Sequence, residues 1–331
     1  MPARIKLSGD PAYIYAVGRV RARETRLVDE RALRDAAEAA DYRGAVEVLR
    51  EFGYDAGSGV AGLRGMLEER DAELRRFLAE SLPRDGGLAR YLLIAVDYAN
   101  LKAALVSRLS GHPFDYDAGG TVPVEGFEAL AGGGDPAELP EPLDSLAEEL
   151  LEEYEDERDP FPLQQGVDRA LYQRRRELAD EIGLPFLTGY LELETDLVNL
   201  AALARCLAAP DPGELARRAF IDGGGLDVAR LREAARNGDR EAAADHLRGG
   251  DYAEAALPAV EGAAGGLEAL GLRGSRLKLD YLARARLAAF GAEPVIAYYY
   301  TRRNELELVR FVLIGKLNDL PAGRLKARLG L

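Results

Sequence analysis

The chain has little of what most enzymes place at their centres. Of its 331 residues one is cysteine, two are histidine and none is tryptophan. A lone Cys206 excludes both a disulfide framework and a thiolate metal cage, and its natural setting is a reducing compartment. His112 stands beside Pro113 in a loop and His246 falls inside a helical pattern. Neither has a partner at metal-ligand spacing, which argues against a histidine metal or acid–base site. Lysine is nearly as scarce, with five residues, and the turns "AGGGD" and "DGGGLD" lack the Gly-x4-Gly-Lys-Ser/Thr arrangement that cradles phosphates. No cofactor and no metal are therefore expected. Positive charge is also short: 43 Lys and Arg against 57 Asp and Glu give a net charge of -14. That excess of negative charge argues against a nucleic-acid partner, which needs a basic face, while leaving room for a local basic patch. The longest apolar runs, such as Tyr91 to Val96 and Phe311 to Ile314, fall far short of the roughly 20 residues that span a bilayer. With no charged-then-apolar leader at the N-terminus, any membrane association is expected to go through a partner.

What is there is helical. Hydrophobic residues make up 47% of the chain, enough for a sizeable core. In "LRGMLEERDAELRRFLAESL", Leu63, Met66, Leu67, Leu74, Phe77 and Leu78 share one stripe, as a helix packed on one side requires. Leu101, Leu105 and Leu109 recur at steps of four before Gly111 and Pro113, a left-handed cap followed by a breaker. Alternating apolar and polar runs are almost absent, so the fold class expected is all-α.

The helices repeat. "YLLIAVDYANL" (91–101), "YLELETDLVNL" (190–200) and "YYYTRRNELEL" (298–308) align Tyr91, Asp97, Asn100 and Leu101 with Tyr190, Asp196, Asn199 and Leu200, and with Tyr298, Asn304, Glu307 and Leu308. A second set recurs in the same order: Leu33, Asp41, Leu49 and Tyr54 match Leu231, Asp239, Leu247 and Tyr252 at one constant offset, and Phe127, Asp135 and Leu143 more faintly. Two ordered sets point to a triplicated unit. Asp41, Asp135 and Asp239 each precede a helical segment, the last but one with Pro136 behind it, and are predicted N-caps. The Gly- and Pro-rich stretches 110–123 and 209–213 mark boundaries, giving helical repeat domains at 1–116, 117–214 and 215–331.

The most enzyme-like stretch is "EEYEDERD", Glu152 to Asp159. Hard cations such as Mg²⁺ prefer carboxylate oxygens, but these residues form no Asp-Asp-x-x-Asp face and have no second acidic helix opposite. A solvated helix end is the simpler reading. On a helix from about Tyr298, Leu306, Val309, Leu313 and Leu317 fall on one side, while Arg303, Glu307 and Arg310 can meet at steps of three and four. Asp97, Asn100, Asp196 and Asn199, joined by Asn304 and Glu307 in the third copy, are the candidate functional positions. Asp and Asn are mediocre helix formers, so their recurrence points to packing between helices or to the lining of a shared cavity.

The opening "YIYAVGRVRARETRLVDERALRDAAEAADYRGAVEVLREFGY" (13–54), the two Asp-x-x-Asn-Leu segments and the closing "EPVIAYYYTRRNELELVRFVLIGKLNDLPAGRLKARL" (293–329) together resemble the C subunit of the archaeal and bacterial A/V-type rotary ATPases, the counterpart of eukaryotic V-type subunit d. The resemblance covers essentially the whole chain, and Asn304 departs from the aspartate of the other two copies. It implies a non-catalytic, three-domain, pseudo-threefold helical funnel on the cytoplasmic face of the membrane. It also implies two partners: the membrane proteolipid ring beneath, and the rotor shaft subunits of the soluble head, received in the central cavity. Two rival expectations are a free-standing helical-repeat scaffold with an open groove for a protein partner, and a Mg²⁺-diphosphate enzyme using the acidic stretch.

Overall fold

A computed structural model describes residues 7–83, 87–157 and 160–331, with side chains outside 156–161. Every described element is helical. In chain order the α-helices are α1 (Ile14–Glu24), α2 (Glu30–Glu38), α3 (Tyr42–Arg50), α4 (Gly59–Ser81), α5 (Leu88–Ser110), α6 (Val124–Ala131), α7 (Leu143–Glu157) and α8 (Pro160–Ile182). They continue with α9 (Pro185–Ala208), α10 (Pro212–Ala216), α11 (Val228–Asn237), α12 (Arg240–Leu247), α13 (Ala253–Val260), α14 (Gly266–Ala283), α15 (Glu293–Leu317) and α16 (Ala322–Leu329).

Local chemistry sets many of the boundaries. The Asp41 carboxylate accepts the Gly44 N–H at 2.9 Å and that of Asp239 accepts the Ala242 N–H at 2.9 Å, satisfying donors that the first turn leaves open. Asp135 does the same for Ala137 at 3.0 Å, at the head of a single 3₁₀ turn, Pro136–Glu138. Asp29 and Asp227 cap α2 and α11 likewise, so both short hairpins, α2–α3 and α11–α12, start each helix on an aspartate. Helix α5 stops where Gly111 takes the left-handed conformation at φ 70°, which a side chain would disfavour. Helix α15 begins at Glu293, ahead of the predicted start near Tyr298. Pro294 sits in its first turn, where a missing N–H costs nothing, and Val295 and Ile296 are buried.

The described chain forms two compact units, 87–274 and 7–83 with 275–331. In the first, α5 packs against α6, α7 and α8, and α9 against α8, α10, α11 and α13. In the second, α15 is the central rod, with α1, α2, α3, α4 and α16 around it. Its core joins Leu33, Val46, Leu49, Tyr54, Leu63 and Met66 to Leu306, Val309, Val312 and Leu313 of α15. Of the stripe expected on α4, Leu63, Met66, Leu74, Phe77 and Leu78 are buried and Leu67 half-buried. The last long helix is thus packed on a hairpin from the beginning of the chain.

Candidate functional site

The repeated polar positions of α5 and α9 do one job: they fasten a long helix to the segment that leads into the next short helix. On α5, Oδ1 of Asp97 accepts the N–H groups of Thr121 (2.8 Å) and Val122 (3.0 Å), and Oδ2 accepts the Thr121 hydroxyl (2.6 Å). One turn on, Asn100 grips the backbone of Asp117 from both sides, donating to its carbonyl at 2.8 Å and accepting its N–H at 2.9 Å. On α9 the pattern recurs. Oδ1 of Asp196 accepts the Leu226 N–H (3.0 Å), while Oδ2 accepts the Tyr252 hydroxyl (2.8 Å). Asn199 grips Ile221, donating at 2.7 Å and accepting at 2.8 Å. All four side chains are buried, so each bond replaces one that water cannot supply. The backbone comes so close that a Cβ at Gly120 or Gly224 would overlap the Asp97 or Asp196 carboxylate.

The third copy is built from different residues. Asn304 is half-buried and Glu307 exposed, and neither takes the position of Asp97 and Asp196. Glu305 does: it is buried, accepts the Tyr54 hydroxyl at 2.7 Å and the guanidinium of Arg302, and has the Val28 N–H close enough to favour its ionised form. Val28 immediately precedes the α2 cap Asp29, as Leu226 precedes the α11 cap Asp227 and Val122 precedes Pro123 at the head of α6. Shifting the sequence alignment by one residue matches Tyr299 to Tyr91 and Tyr190, and Val309, Val312 and Leu313 to Leu101, Ala104 and Leu105, all buried. The register aligned on Asn304 was one residue short, because three consecutive tyrosines offer three equally good starting points. The signal that identifies Glu305 is therefore the apolar triplet 309, 312 and 313, not the polar motif.

Each carboxylate also receives one hydroxyl: Thr121 for Asp97, Tyr252 for Asp196 and Tyr54 for Glu305. Tyr54 and Tyr252 are repeat positions of the hairpins, so the two sets of sequence repeats meet at these bonds. Position Leu308, in the register of Asn100 and Asn199, has no amide; the third copy instead has Arg302, one turn earlier than Glu305, over the Tyr54 ring at 5.1 Å. Burial raises the pKa of all three carboxyls, with the donors around them opposing it. Burial likewise pushes the Cys206 thiol up to about 11, which leaves it inert at neutral pH. Arg303 reaches Asp71 of α4 at 3.0 Å, while Arg310, like Glu307, is exposed.

The carboxylates of Asp97 and Asp196 have partners on both oxygens, and both bonds to Glu305 fall on Oε1, leaving its Oε2 buried without one. Of the acidic stretch, Glu153 pairs with Arg218 at 3.1 Å and Glu152 and Glu155 are exposed on α7. Residues 158 and 159, with the side chains of Asp156 and Glu157, lie outside those described. Among the described residues no helix is long and apolar enough to cross a membrane.

Comparison with known proteins points the same way as the repeats. The family model described as ATP synthase (C/AC39) subunit matches residues 16–328. A protein of Enterococcus hirae, named as the C subunit of a V-type sodium ATPase, is 24% identical over 273 residues, 80% of each chain. One of Halorubrum lacusprofundi, named as the C subunit of an A-type ATP synthase, is 29% identical over 196 residues, 55% of this chain and 53% of that one.

Proposed function

The chain belongs to the ATP synthase (C/AC39) subunit family, and from that premise we propose that it is the central-stalk rotor subunit of an A/V-type ATPase or ATP synthase. It is a subunit without catalytic chemistry of its own. It links the shaft of the soluble head to the membrane proteolipid ring and transmits torque between ATP turnover and H⁺ or Na⁺ translocation. It sits peripherally on the cytoplasmic face of the membrane, held there by its partners. The observation that supports this best is the set of three fastened helices. An adaptor under torque must not yield between its helices, and Asp97–Asn100, Asp196–Asn199 and Arg302–Glu305 tie each long helix to the chain around a short helix. Rigid packing of this kind transmits strain rather than absorbing it.

In this reading the working units are not three consecutive segments, 1–116, 117–214 and 215–331, but three long-helix repeats, the last completed by the N-terminal hairpin. The function requires them to close around a socket for the shaft. The test is a reconstituted complex prepared with and without the chain. With it, shaft and proteolipid subunits should co-purify and ATP hydrolysis should drive ion uptake; without it, hydrolysis should run uncoupled. Ion pumping that persists at full coupling in its absence would overturn the proposal.

A further inference from the structure

Within the second unit, a cleft of about 630 Å³ opens between α1, α4, α15 and the turn at 51–53. Its size is that of a small-molecule site. Six arginines line it, Arg23, Arg26, Arg50, Arg70, Arg76 and Arg302, in a chain whose net charge is -14. Three carboxylates share the wall, Glu51, Glu73 and Glu80, but two are already paired. Glu73 holds Arg70 at 3.0 Å, and Glu80 holds Arg19, outside the wall, at 2.7 Å.

The cations are not matched in the same way. Arg302 is paired with Glu305, and Arg50 with Glu47 and Asp55. Among the described residues, Arg23, Arg26 and Arg76 have no carboxylate within ion-pair distance. Arg23 is nevertheless held in place, its guanidinium 4.8 Å from the centre of the Phe77 ring, an arrangement that fixes the plane of the fork while leaving its N–H groups free. A cleft wall with three guanidinium groups outside any ion pair is short of acceptor oxygens. The forked donors of arginine match tetrahedral oxyanions better than they match water.

We infer that this cleft binds a small molecule carrying two or more phosphate-type charges, either a free polyphosphate or the phosphate chain of a nucleotide. The full chain is titrated calorimetrically with inorganic tripolyphosphate at low salt, and separately with ATP. One site per chain is expected, with affinity falling as salt is raised. Arg23→Ala and Arg76→Ala should each weaken it by about tenfold. Arg23→Lys should fall between, because a point charge replaces a fork. Arg230→Ala, an exposed position on α11, should leave it unchanged. Tripolyphosphate and ATP binding equally would assign the site to the phosphates alone, and tighter ATP binding would assign it to a nucleotide. Arg26 is exposed, so Arg26→Ala provides a variant whose folding is not at issue and should also weaken binding. No saturable binding of either compound, or binding that Arg23→Ala, Arg26→Ala and Arg76→Ala all retain, overturns the inference and leaves the cleft to an acidic protein partner.

Discussion

The change Asn199→Ala isolates what one amide contributes to the fold. Asn199 is fully buried and makes two bonds to Ile221, at 2.7 and 2.8 Å, and Ile221 is itself buried. Alanine strands a backbone N–H and a C=O where water has no access, and each stranded group costs about 1–3 kcal/mol, so the expected loss is about 2–6 kcal/mol. Unfolding entropy of about 2.1 cal/mol/K per residue, taken over the unit spanning 87–274, is about 0.4 kcal/mol/K, so Tm should drop by about 5–15 °C. Calorimetry measures the drop, and hydrogen exchange at the Ile221 amide shows whether it arises at that bond. Glu307→Ala serves as the reference, since Glu307 is exposed and should cost no more than about 0.5 kcal/mol. If the two variants melted together, or if Ile221 kept its protection, the fastening role of the amide would be refuted.

Three further outcomes follow from the same structure. Cys206, buried and with its thiol pushed up to about 11, should resist a thiol reagent in the native chain at neutral pH and react at once in denaturant. Asp239→Ala removes the acceptor for the Ala242 N–H and should cost about 0.5–2 kcal/mol by denaturant titration. The Asp97 and Asp196 carboxyls have folded pKa values raised by burial, so the folded state binds more protons than the unfolded one just above the unfolded value of about 3.9. Their contribution is therefore complete below that pH and is lost as pH rises through the raised values. Asp196→Asn should flatten the dependence of Tm on pH over that interval, and an unchanged slope would count against the assignment.

The helical class, the capping aspartates and the first two copies of the fastening motif were legible in the sequence because they are local. A cap is read from its own turn, and Asp97–Asn100 and Asp196–Asn199 share one spacing on one helix face. What the sequence did not show is which backbone they hold, since Asp117 and Ile221 have dissimilar side chains and contribute only main-chain groups. Nor did it show the pairing of α15 with α2 and α3, which joins the two ends of the chain and has no short-range signature. The glycines at 120 and 224 were the available clue to a close approach: each stands the same distance before the hairpin, and a Cβ there would overlap the aspartate.

That clue also explains why the third repeat uses glutamate. Counting back from Val28 as from Val122 and Leu226, the place of Gly120 and Gly224 is held by Arg26, so the backbone there need not come as near to α15. An aspartate at 304 would also face away, since one residue along a helix turns the side chain by about 100° and moves it about 1.5 Å. A carboxylate at the next position with one more methylene, Glu305, meets Tyr54 at 2.7 Å. Glu305→Asp should consequently fail although the charge is kept. The shortened side chain loses Tyr54, whose hydroxyl is left buried, at a cost of about 1–3 kcal/mol, and the α2–α3 hairpin should exchange its amide hydrogens faster while α11–α12 does not. Adding Asn304→Asp restores the sequence motif of the other two copies but should not restore protection. Recovery of the hairpin in that double variant would mean that the motif, not the geometry of the split repeat, sets the register, and the placement of Glu305 as the third carboxylate would fall.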